Sequence, residues 1–302
     1  MSSITTSAAT NLSKKPIRNA GCLIIGDEIL NGKILDTNSY HFARQCFNNL
    51  SIPLKRTIVC GDDPKDITKS LDILLKQDQI DFIITSGGLG STHDDITYEV
   101  LSEYFGLDYC LDQEVVNRMH KVRGKYLDGL KTDQLQAFYK MATLPSAKKD
   151  NPISVEKYFI GDNLWFPLVA LNEQVYILPG VPELFKKLIK EMQPLLKDRI
   201  RKQDLNRRYV KTTTKESELA PFLTKLQNKC DSIHGIGKVK LGSYPHFNWQ
   251  VNTISIISNS LSIEDLQEIV DELVANLGGQ AQEINQEQED KFTNEEPPHK
   301  KH

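Results

Sequence analysis

A glycine-rich segment beside two carboxylates has the residue types that most directly suggest chemistry. Gly87, Gly88 and Gly90 fall within four positions, and Asp94 and Asp95 follow shortly after them. Glycine lets the backbone take positive φ values and come close to a bound group. A helical pattern begins at the aspartates, and the free amides at the start of a helix favour an anion such as phosphate. The predicted phosphate-binding residues are Gly87, Gly88, Leu89, Gly90, Ser91 and Thr92.

Asp94 and Asp95 have two interpretations. In the structural one, they cap the helix that follows and interact favourably with its dipole. In the functional one, they bind a divalent cation, because a metal that bridges carboxylates and phosphates offsets the repulsion between them. Spacing alone favours capping, whereas the neighbouring acidic loops favour a metal role for Asp95.

Other loops add polar residues at comparable positions. Asp27 follows the first apolar run, Asp62 follows the second, and Gly180 follows a later one, while Asp36 and Asn38 open the first helical pattern. In an open parallel sheet, ligands bind outside the carboxyl ends of the strands, so these loops should converge. Each carboxylate alone resembles a turn or cap residue. Together they suit a hard cation such as Mg²⁺ or Mn²⁺.

These positions divide into three predicted roles. The predicted metal ligands are Asp95, Asp94 and Asp62. The predicted catalytic residues are Asp95, Asp62 and Asp27, the last of which would orient a water molecule or the substrate. The predicted substrate-orienting residues are Asp36, Asn38 and Gly180. The identity of the general base stays open.

Alternating strands and helices would hold these loops. Apolar runs typical of buried strands are followed by segments with helical spacing, at 20–26 then 36–50, 52–60 then 63–77, and 80–86 then 94–106. This order predicts an α/β fold with a mostly parallel sheet and helices on both faces. A second, shorter set of strands and helices predicts a small α+β module.

Composition shifts predict four segments. They are a disordered N-terminus at 1–17, a catalytic domain at 18–198, the α+β module at 199–278 and a disordered polar tail at 279–302. The two terminal segments are poor in apolar side chains, so burial could not offset the entropy lost on ordering.

Bulk composition limits the classes of partner and compartment. The net charge of −3 over 302 residues gives no basic surplus for nucleic-acid binding. Apolar runs are too short to span a membrane, and the N-terminus lacks the apolar stretch of a secretory signal. Five scattered cysteines indicate buried thiols in a reducing compartment, so we expect a cytoplasmic protein rather than a mitochondrial one.

Two common nucleotide-binding motifs are missing from the glycine segment. No lysine follows the glycines as it does in a P-loop, which argues against Walker-type hydrolysis. The G-x-G-x-x-G spacing is also missing, which argues against a dinucleotide-dependent oxidoreductase.

Several segments in order resemble the molybdopterin-binding fold of the MoaB/MogA-like proteins. The pterin-binding members carry G-G-T-G and then Asp-x-Thr, matched here by Gly87 to Gly90 and by Asp95 to Thr97, with Leu89 in place of threonine. Leucine at this position resembles the pattern of the CinA branch. Three further segments also resemble that branch: Gly26 to Leu30, Asp36 to Asn38 and Leu178 to Pro182. Ser91 stands where CinA proteins usually have proline. The resemblance covers about residues 18–195, and the second module resembles the region that follows this domain in eukaryotic FAD synthase.

The resemblance implies a metal-dependent pyrophosphatase, a hydrolase acting on a phosphoric anhydride. Its substrates would be FAD or ADP-ribose-type dinucleotides, and FAD would give FMN and AMP. The implied cofactors are a divalent cation (Mg²⁺, Mn²⁺ or Co²⁺) and K⁺, and the implied assembly is a homo-oligomer. Two alternatives stay open: a pterin-binding protein of molybdenum-cofactor synthesis, and a nucleotide-binding module without catalytic activity.

Overall fold

The computed structural model describes residues 4–6, 15–161 and 163–295, with only the backbone described for 4–6. The chain divides into two compact units, 1–201 and 202–302. Among the described residues, no helix is long and apolar enough to cross a lipid bilayer.

The first unit alternates strands with helices over most of its length. Its strands are β1 (Ile4–Thr6), β2 (Ala20–Ile25), β3 (Leu54–Cys60), β4 (Phe82–Ser86), β5 (Asp108–Leu111), β6 (Thr143–Ser146), β7 (Val155–Ile160), β8 (Leu168–Leu171) and β9 (Val175–Leu178). Its α-helices are α1 (Asp27–Leu30), α2 (Asn38–Gln45), α3 (Pro64–Asp72), α4 (Thr97–Phe105), α5 (Gln113–Leu127), α6 (Thr132–Tyr139), α7 (Pro182–Glu191) and α8 (Gln193–Leu196).

A seven-stranded sheet organises this unit, in the order β1-β7-β8-β9-β4-β2-β3. The four strands β9, β4, β2 and β3 run parallel to one another, and β8, β7 and β1 extend the sheet with antiparallel pairings. The predicted α/β fold with a mostly parallel sheet is therefore confirmed. The antiparallel extension is not predicted from the sequence, because β7 and β8 are short and lie in a stretch without clear periodicity.

Both faces of the sheet are buried, as a parallel sheet requires. Along β2, Leu23 and Ile25 belong to one hydrophobic core while Cys22 and Ile24 belong to the other. The first core includes side chains of α3, α4 and α5, and the second includes side chains of α2 and α7. Each fully buried aliphatic side chain contributes about 1.5–3 kcal/mol, so the sheet holds its strand ends in fixed positions.

The prediction of a disordered N-terminus at 1–17 is wrong for two parts of that segment. Ile4–Thr6 forms a strand that pairs antiparallel with β7. Ile17 is fully buried, and its backbone N–H donates to the Arg199 carbonyl at 2.8 Å. The prediction weighed the apolar content of the whole segment, whereas a strand pairing and one buried side chain suffice to order short pieces. The rest of 1–14 lies outside the described residues.

The second unit is a β-α-β-β-α-β arrangement with one further helix. Its elements are β10 (Asn206–Thr212), α9 (Glu216–His234), β11 (Val239–His246), β12 (Val251–Ser258), α10 (Ile263–Leu277), β13 (Ala281–Ile284) and α11 (Gln286–Asn294). The antiparallel sheet has the order β11-β12-β10-β13, which is the split βαβ topology. Helices α9 and α10 pack on one face of this sheet and form a separate core with it.

The prediction of a disordered tail at 279–302 is also wrong over most of its length. β13 pairs with β10 at the edge of the sheet, and α11 follows it. Asn285 caps α11 through its side chain, and the buried Glu289 accepts hydrogen bonds from Thr253 and Thr293. Backbone pairing and polar contacts order this segment, and neither produces an apolar pattern. Residues 296–302 lie outside the described residues.

Candidate active site

The glycine segment leaves β4 at Ser86 and turns sharply against β2. Gly87 has φ of 112°, and a Cβ at this position would collide with the carbonyl oxygen of Ile25. Gly180, in the loop after β9, packs on Gly87, because an added Cβ would lie 3.2 Å from the Gly87 Cα. The close approach of these loops requires glycine, and it brings two of the predicted loop ends into direct contact.

Asp95 folds back onto the glycine segment. Its carboxylate accepts hydrogen bonds from the Gly90 N–H at 2.6 Å and the Thr92 N–H at 2.9 Å, and from the Thr92 hydroxyl. Helix α4 begins only at Thr97, and no side chain caps it. The expectation that Asp94 or Asp95 caps this helix is therefore wrong, since the loop between Asp95 and Thr97 carries the carboxylate away from the helix. Asp95 instead fixes the shape of the loop.

Three amides of the glycine segment are left free by this arrangement. Within the part of the chain that the structure describes, the N–H groups of Gly88, Leu89 and Ser91 donate to no protein acceptor. Gly88 and Leu89 also line a cavity. Free backbone N–H groups beside a cavity are the arrangement that binds phosphate oxygens.

Lys140 contributes a cation to the same segment from a distant part of the sequence. It lies in a 3₁₀ turn, Lys140–Ala142, and its ammonium group donates to the carbonyl oxygen of Thr92. It also lies near Asp94, whose pKa is lowered by hydrogen bonds from Thr92 and from its own amide, and further by nearby positive charge. Lys140 could not be predicted from the glycine motif, because it lies 48 residues after Thr92 in the sequence.

The loop before α2 joins the site through Asn38, which is 6% exposed. The Asn38 side-chain amide donates to the Ser86 hydroxyl at 2.9 Å and to the Gly180 carbonyl at 2.8 Å. Asp36 accepts from the backbone N–H groups of Asn38 and Ser39 and from the Ser39 hydroxyl. Asp36 therefore holds the start of α2, and Asn38 connects three of the loops.

A cavity of about 500 Å³ lies at this sheet edge. Eight of the predicted site residues line it: Asp36, Asn38, Gly87, Gly88, Leu89, Gly90, Asp95 and Gly180. Further lining residues were not predicted, among them Glu28, Ile34, Leu35, Met141 and Val181. Trp165 and Phe166 also line the cavity and are half-buried.

The remaining predicted residues lie outside the cavity lining. They are Asp27, Asp62, Ser91, Thr92 and Asp94. Asp62 accepts a hydrogen bond from the backbone N–H of Asp27 at 3.0 Å, so the loops after β2 and β3 meet beside the cavity. Asp63, next in sequence, caps α3. The sheet therefore brings the four loops to one edge, but the loop after β3 contributes from outside the cavity.

Acidic side chains cluster around Asp62. Partial burial raises the pKa of Asp62, and the negative charges of Glu28, Asp27 and Asp94 raise it further, although the hydrogen bond from Asp27 opposes this. A carboxylate whose ionised form is disfavoured by other carboxylates is a position where a cation would be stabilising. The charge environment of Asp62 thus fits the predicted divalent cation.

The carboxylates near the cavity fit a magnesium-type site better than a structural zinc site. Among the described residues, no group of three or more histidine, cysteine, aspartate or glutamate side chains is arranged to hold a metal ion. Zinc sites of structural type need such a group. Mg²⁺ is commonly bound by one or two carboxylates together with water and substrate phosphates, and the carboxylates beside this cavity fit that pattern.

Comparisons with known proteins identify the family to which the chain belongs. The family model described as "Probable molybdopterin binding domain" matches residues 21–198, well over half of the chain. The chain belongs to this molybdopterin-binding domain family. The model described as "FAD synthase, middle domain" matches residues 204–285 of the second unit.

Individual relatives of this molybdopterin-binding domain protein have two kinds of name. A "Probable FAD synthase" from Caenorhabditis elegans is 28% identical over 271 residues, which cover 87% of this chain and 50% of the relative. A "CinA-like protein" from Mycobacterium tuberculosis (strain H37Ra) is 31% identical over 184 residues, 58% of this chain and 39% of the relative. The chain thus spans about half the length, or less, of these curated relatives.

Among solved structures, the protein CinA from Thermoplasma acidophilum is similar to the first unit. It is 28% identical with a TM-score of 0.48, and the match covers 61% of this chain and 99% of that one.

Proposed function

We propose that the first unit hydrolyses the pyrophosphate bond of FAD or of an ADP-ribose-type dinucleotide, assisted by a divalent cation. The observation that carries this proposal is the pair of free amides of Gly88 and Leu89, which line a cavity beside the cluster of acidic side chains around Asp62. Phosphate oxygens need donors and a counter-charge, and the site offers both. The names of the relatives, FAD synthase and CinA-like, support a flavin or related dinucleotide as substrate.

Each group of the chain then has a role in binding the diphosphate. The amides of Gly88, Leu89 and Ser91 donate hydrogen bonds to phosphoryl oxygens, and Asp95 holds the loop in the shape that directs them. Lys140 offsets negative charge on the phosphates, because its ammonium group already contacts this loop. Preorganised donors of this kind stabilise charge that develops in a transition state.

Asp62 and its neighbours would hold the cation. Asp62, with one neighbouring carboxylate such as Asp27 or Asp94, would supply oxygen donors of the kind that Mg²⁺, Mn²⁺ and Co²⁺ accept, and water and substrate phosphates would supply the others. A bound divalent cation would polarise a phosphoryl oxygen and lower the pKa of a water molecule. The dependence on K⁺ stays a prediction, as does the metal role of Asp95, whose carboxylate oxygens already accept hydrogen bonds from the loop.

The reaction consumes one water molecule. The water oxygen forms a bond to one phosphorus atom, the bond from that phosphorus to the bridging oxygen breaks, and the bridging oxygen leaves with the other phosphate. A proton is released from the attacking water. FAD would give FMN and AMP in equal amounts.

Binding without hydrolysis is the second candidate. The observation that favours it is the engagement of Asp95 and Asp36 in hydrogen bonds that shape the loops, which gives both carboxylates a structural role. The ligand would then be a nucleotide, or a pterin as the family description suggests. Leu89, in place of the threonine of pterin-binding relatives, favours the dinucleotide.

A substrate panel tests the proposal. The purified chain is incubated with FAD, ADP-ribose, NAD⁺ and CoA, with Mg²⁺, Mn²⁺ or Co²⁺ and with or without K⁺, and the products are separated chromatographically. We expect AMP from FAD or ADP-ribose, and loss of that product in Asp62→Asn. Nucleotide binding without any AMP would support the binding module, and tight pterin binding without hydrolysis would support the pterin protein.

A further inference from the structure

A second cavity, of about 440 Å³, lies along α2 and α7 of the first unit. Its lining comes from α2 and the π-helical turn after it, and from α7 and the start of α8. None of the described residues lines both this cavity and the active-site cavity. We call it the α2–α7 pocket, and the loops that bind phosphate in the proposed function do not form it.

Positive charge dominates the α2–α7 pocket. Four basic side chains line it: Arg44, Lys186, Lys190 and His41. Among the described residues, no aspartate or glutamate does so. Glu183 pairs with Lys186 at 3.5 Å, but its side chain is 86% exposed, so water screens much of its charge. The pocket therefore holds an excess of cationic groups.

The pKa of His41 reflects this excess. Burial lowers it, and the positive charges of Lys186 and Arg44 lower it further, although Glu183 opposes them. A histidine whose charged form is disfavoured by neighbouring cations lies in a positive potential. An anion in the pocket would be attracted to the same potential and would favour the protonated ring.

The uncharged part of the lining consists mostly of hydrogen-bonding groups. Four side-chain amides line the pocket, and Ile189 is the one apolar residue in its described lining. The amide nitrogen Nε2 of Gln45 is buried and donates to no acceptor among the described residues. Buried donors are satisfied in the great majority of cases. A rotation of the Gln45 amide toward the pocket would give this donor an anionic oxygen as its acceptor.

The composition of the pocket selects the class of anion. Guanidinium and ammonium groups bind the oxygens of phosphate through charge-assisted hydrogen bonds. In the described lining there is no phenylalanine, tyrosine or tryptophan on which a base or a flavin ring could stack. The group that this pocket recognises is therefore the oxyanion itself.

We propose that the α2–α7 pocket is a second anion site that binds a phosphate group, held by Arg44, Lys186 and Lys190 and by side-chain amides. Inorganic phosphate and the phosphate of a nucleotide share this chemistry. The site is separate from the proposed hydrolytic site, and it does not rest on the proposed function.

The NMR signals of the His41 ring provide a local measurement of anion binding. The full-length chain is titrated with sulfate, a phosphate analogue that stays a dianion where histidines titrate, while chloride keeps the ionic strength constant. His41→Gln identifies the signals by their loss. We expect a saturable shift of these signals and a rise in the pKa of His41, because a bound anion stabilises the imidazolium.

Two substitutions on α7 test whether the pocket is responsible. Lys186→Met should weaken sulfate binding about threefold or more, because it removes one of the binding charges. Lys187→Met is the matched control, since Lys187 is exposed on the same helix and lies outside the lining. It should leave the affinity unchanged. Lys140→Met should also leave the His41 response unchanged, which separates this pocket from the glycine segment.

Inorganic phosphate and AMP distinguish the two sources of a phosphate group. Each is titrated against the same His41 signals. Equal affinities would show that the phosphate group alone is bound, and tighter binding of AMP would make a phosphate ester the ligand. Either result supports the site.

Four outcomes would overturn the anion site. They are a His41 shift that does not saturate, an equal shift with chloride alone, equal weakening in Lys186→Met and Lys187→Met, and loss of the response in Lys140→Met. Saturable sulfate binding by a chain that releases no AMP from FAD would support this inference and contradict the proposed function. Hydrolysis of FAD without a His41 response would do the reverse.

Discussion

Asp95 shows how much a single carboxylate can mislead when only its spacing is known. The sequence allows it to be a helix cap or a metal ligand. It is not a cap, because its side chain accepts hydrogen bonds from Gly90 and Thr92, and its metal role stays a prediction. The direction in which a short side chain turns depends on the exact path of its loop, which no local pattern specifies. The glycines, by contrast, were predictable, because only glycine fits a position such as Gly87 with its φ of 112°.

The hydrogen bonds that Asp95 accepts from the glycine segment lead to a prediction about stability. Asp95→Ala removes the acceptor of the Gly90 and Thr92 N–H groups, so we expect a loss of about 1–3 kcal/mol in the free energy of unfolding. Asp95→Asn keeps one acceptor oxygen and should lose less. Chemical denaturation measures both. A cation that raises the Tm of the wild type and of Asp95→Asn equally would show that Asp95 is not a ligand. Equal stability of Asp95→Ala and the wild type would show that these hydrogen bonds do not stabilise the loop.

Lys140 should contribute to binding of the substrate phosphates and not to binding of the flavin ring. We expect Lys140→Met to lower kcat/KM for FAD about 10- to 100-fold, because it removes a charge-assisted contact. Lys140→Arg should retain most of the activity, and the exposed Lys149→Met serves as the control. Riboflavin affinity should stay unchanged in Lys140→Met while FMN affinity falls. An equal effect on both ligands would indicate a general structural defect.

The five cysteines should differ sharply in reactivity. Burial raises the pKa of Cys60 to about 11 and raises the pKa values of Cys22, Cys46 and Cys230, while Cys110 is exposed. We expect a single fast-reacting thiol with Ellman's reagent at pH 8, and its loss in Cys110→Ser. Fast reaction of two or more thiols in the native protein would contradict the burial.

The buried thiols also give a pH dependence of stability. Their folded pKa values lie above the unfolded value of about 8.5, so the folded state keeps its protons where the unfolded state loses them. Stability from these groups is therefore full below about pH 8.5 and falls as the pH rises toward the folded value of about 11 for Cys60. Thermal unfolding at pH 7.5 and pH 10 measures this loss. Cys60→Ala should reduce the difference between the unfolding temperatures measured at the two pH values.

At the scale of elements, the alternation of apolar runs and helical patterns was enough to predict the parallel part of the sheet. Helix α3, with Ile67 and Leu71 fully buried, is a direct consequence of that pattern. The edge elements were not predictable in the same way. Strand β13 and helix α11 are ordered by backbone pairing and polar contacts, and a polar composition resembles that of a disordered segment.

Helix α11 provides a test of whether polar contacts stabilise this segment. The buried Glu289 accepts from the Thr253 and Thr293 hydroxyls, and its Oε1 lies 3.8 Å from His246 Nε2. We expect Glu289→Ala to destabilise the chain by about 1–3 kcal/mol, because the buried Thr253 hydroxyl loses this acceptor. The exposed Glu287→Ala, on the same helix, should cost less than about 0.5 kcal/mol. Equal effects of the two substitutions on thermal unfolding would contradict the contact.

At the scale of the whole molecule, the chain consists of two units that match two different family models. The candidate site belongs to the first unit and lies at the carboxyl ends of its strands, where loops, the end of β2 and residues of the adjoining helices line the cavity. This placement follows from the topology and could be predicted from the order of elements. The composition of the cavity could not, because Lys140, Met141 and Trp165 come from segments whose position depends on the complete fold.

The predicted homo-oligomer also belongs to this scale and stays a prediction. Light scattering coupled to size exclusion measures the mass in solution directly. A mass equal to a multiple of 34.3 kDa, independent of dilution, is the expected result. A mass of a single chain at all concentrations would contradict it.

Product analysis of FAD turnover tests the central claim most directly. The wild type, Asp62→Asn and Lys140→Met are incubated with FAD and Mg²⁺, Mn²⁺ or Co²⁺, and FMN and AMP are quantified together. The account predicts equal amounts of FMN and AMP from the wild type, no product without the cation, and strongly reduced product from both variants. Saturable FAD binding by the wild type with no FMN or AMP under any of these metals would contradict it.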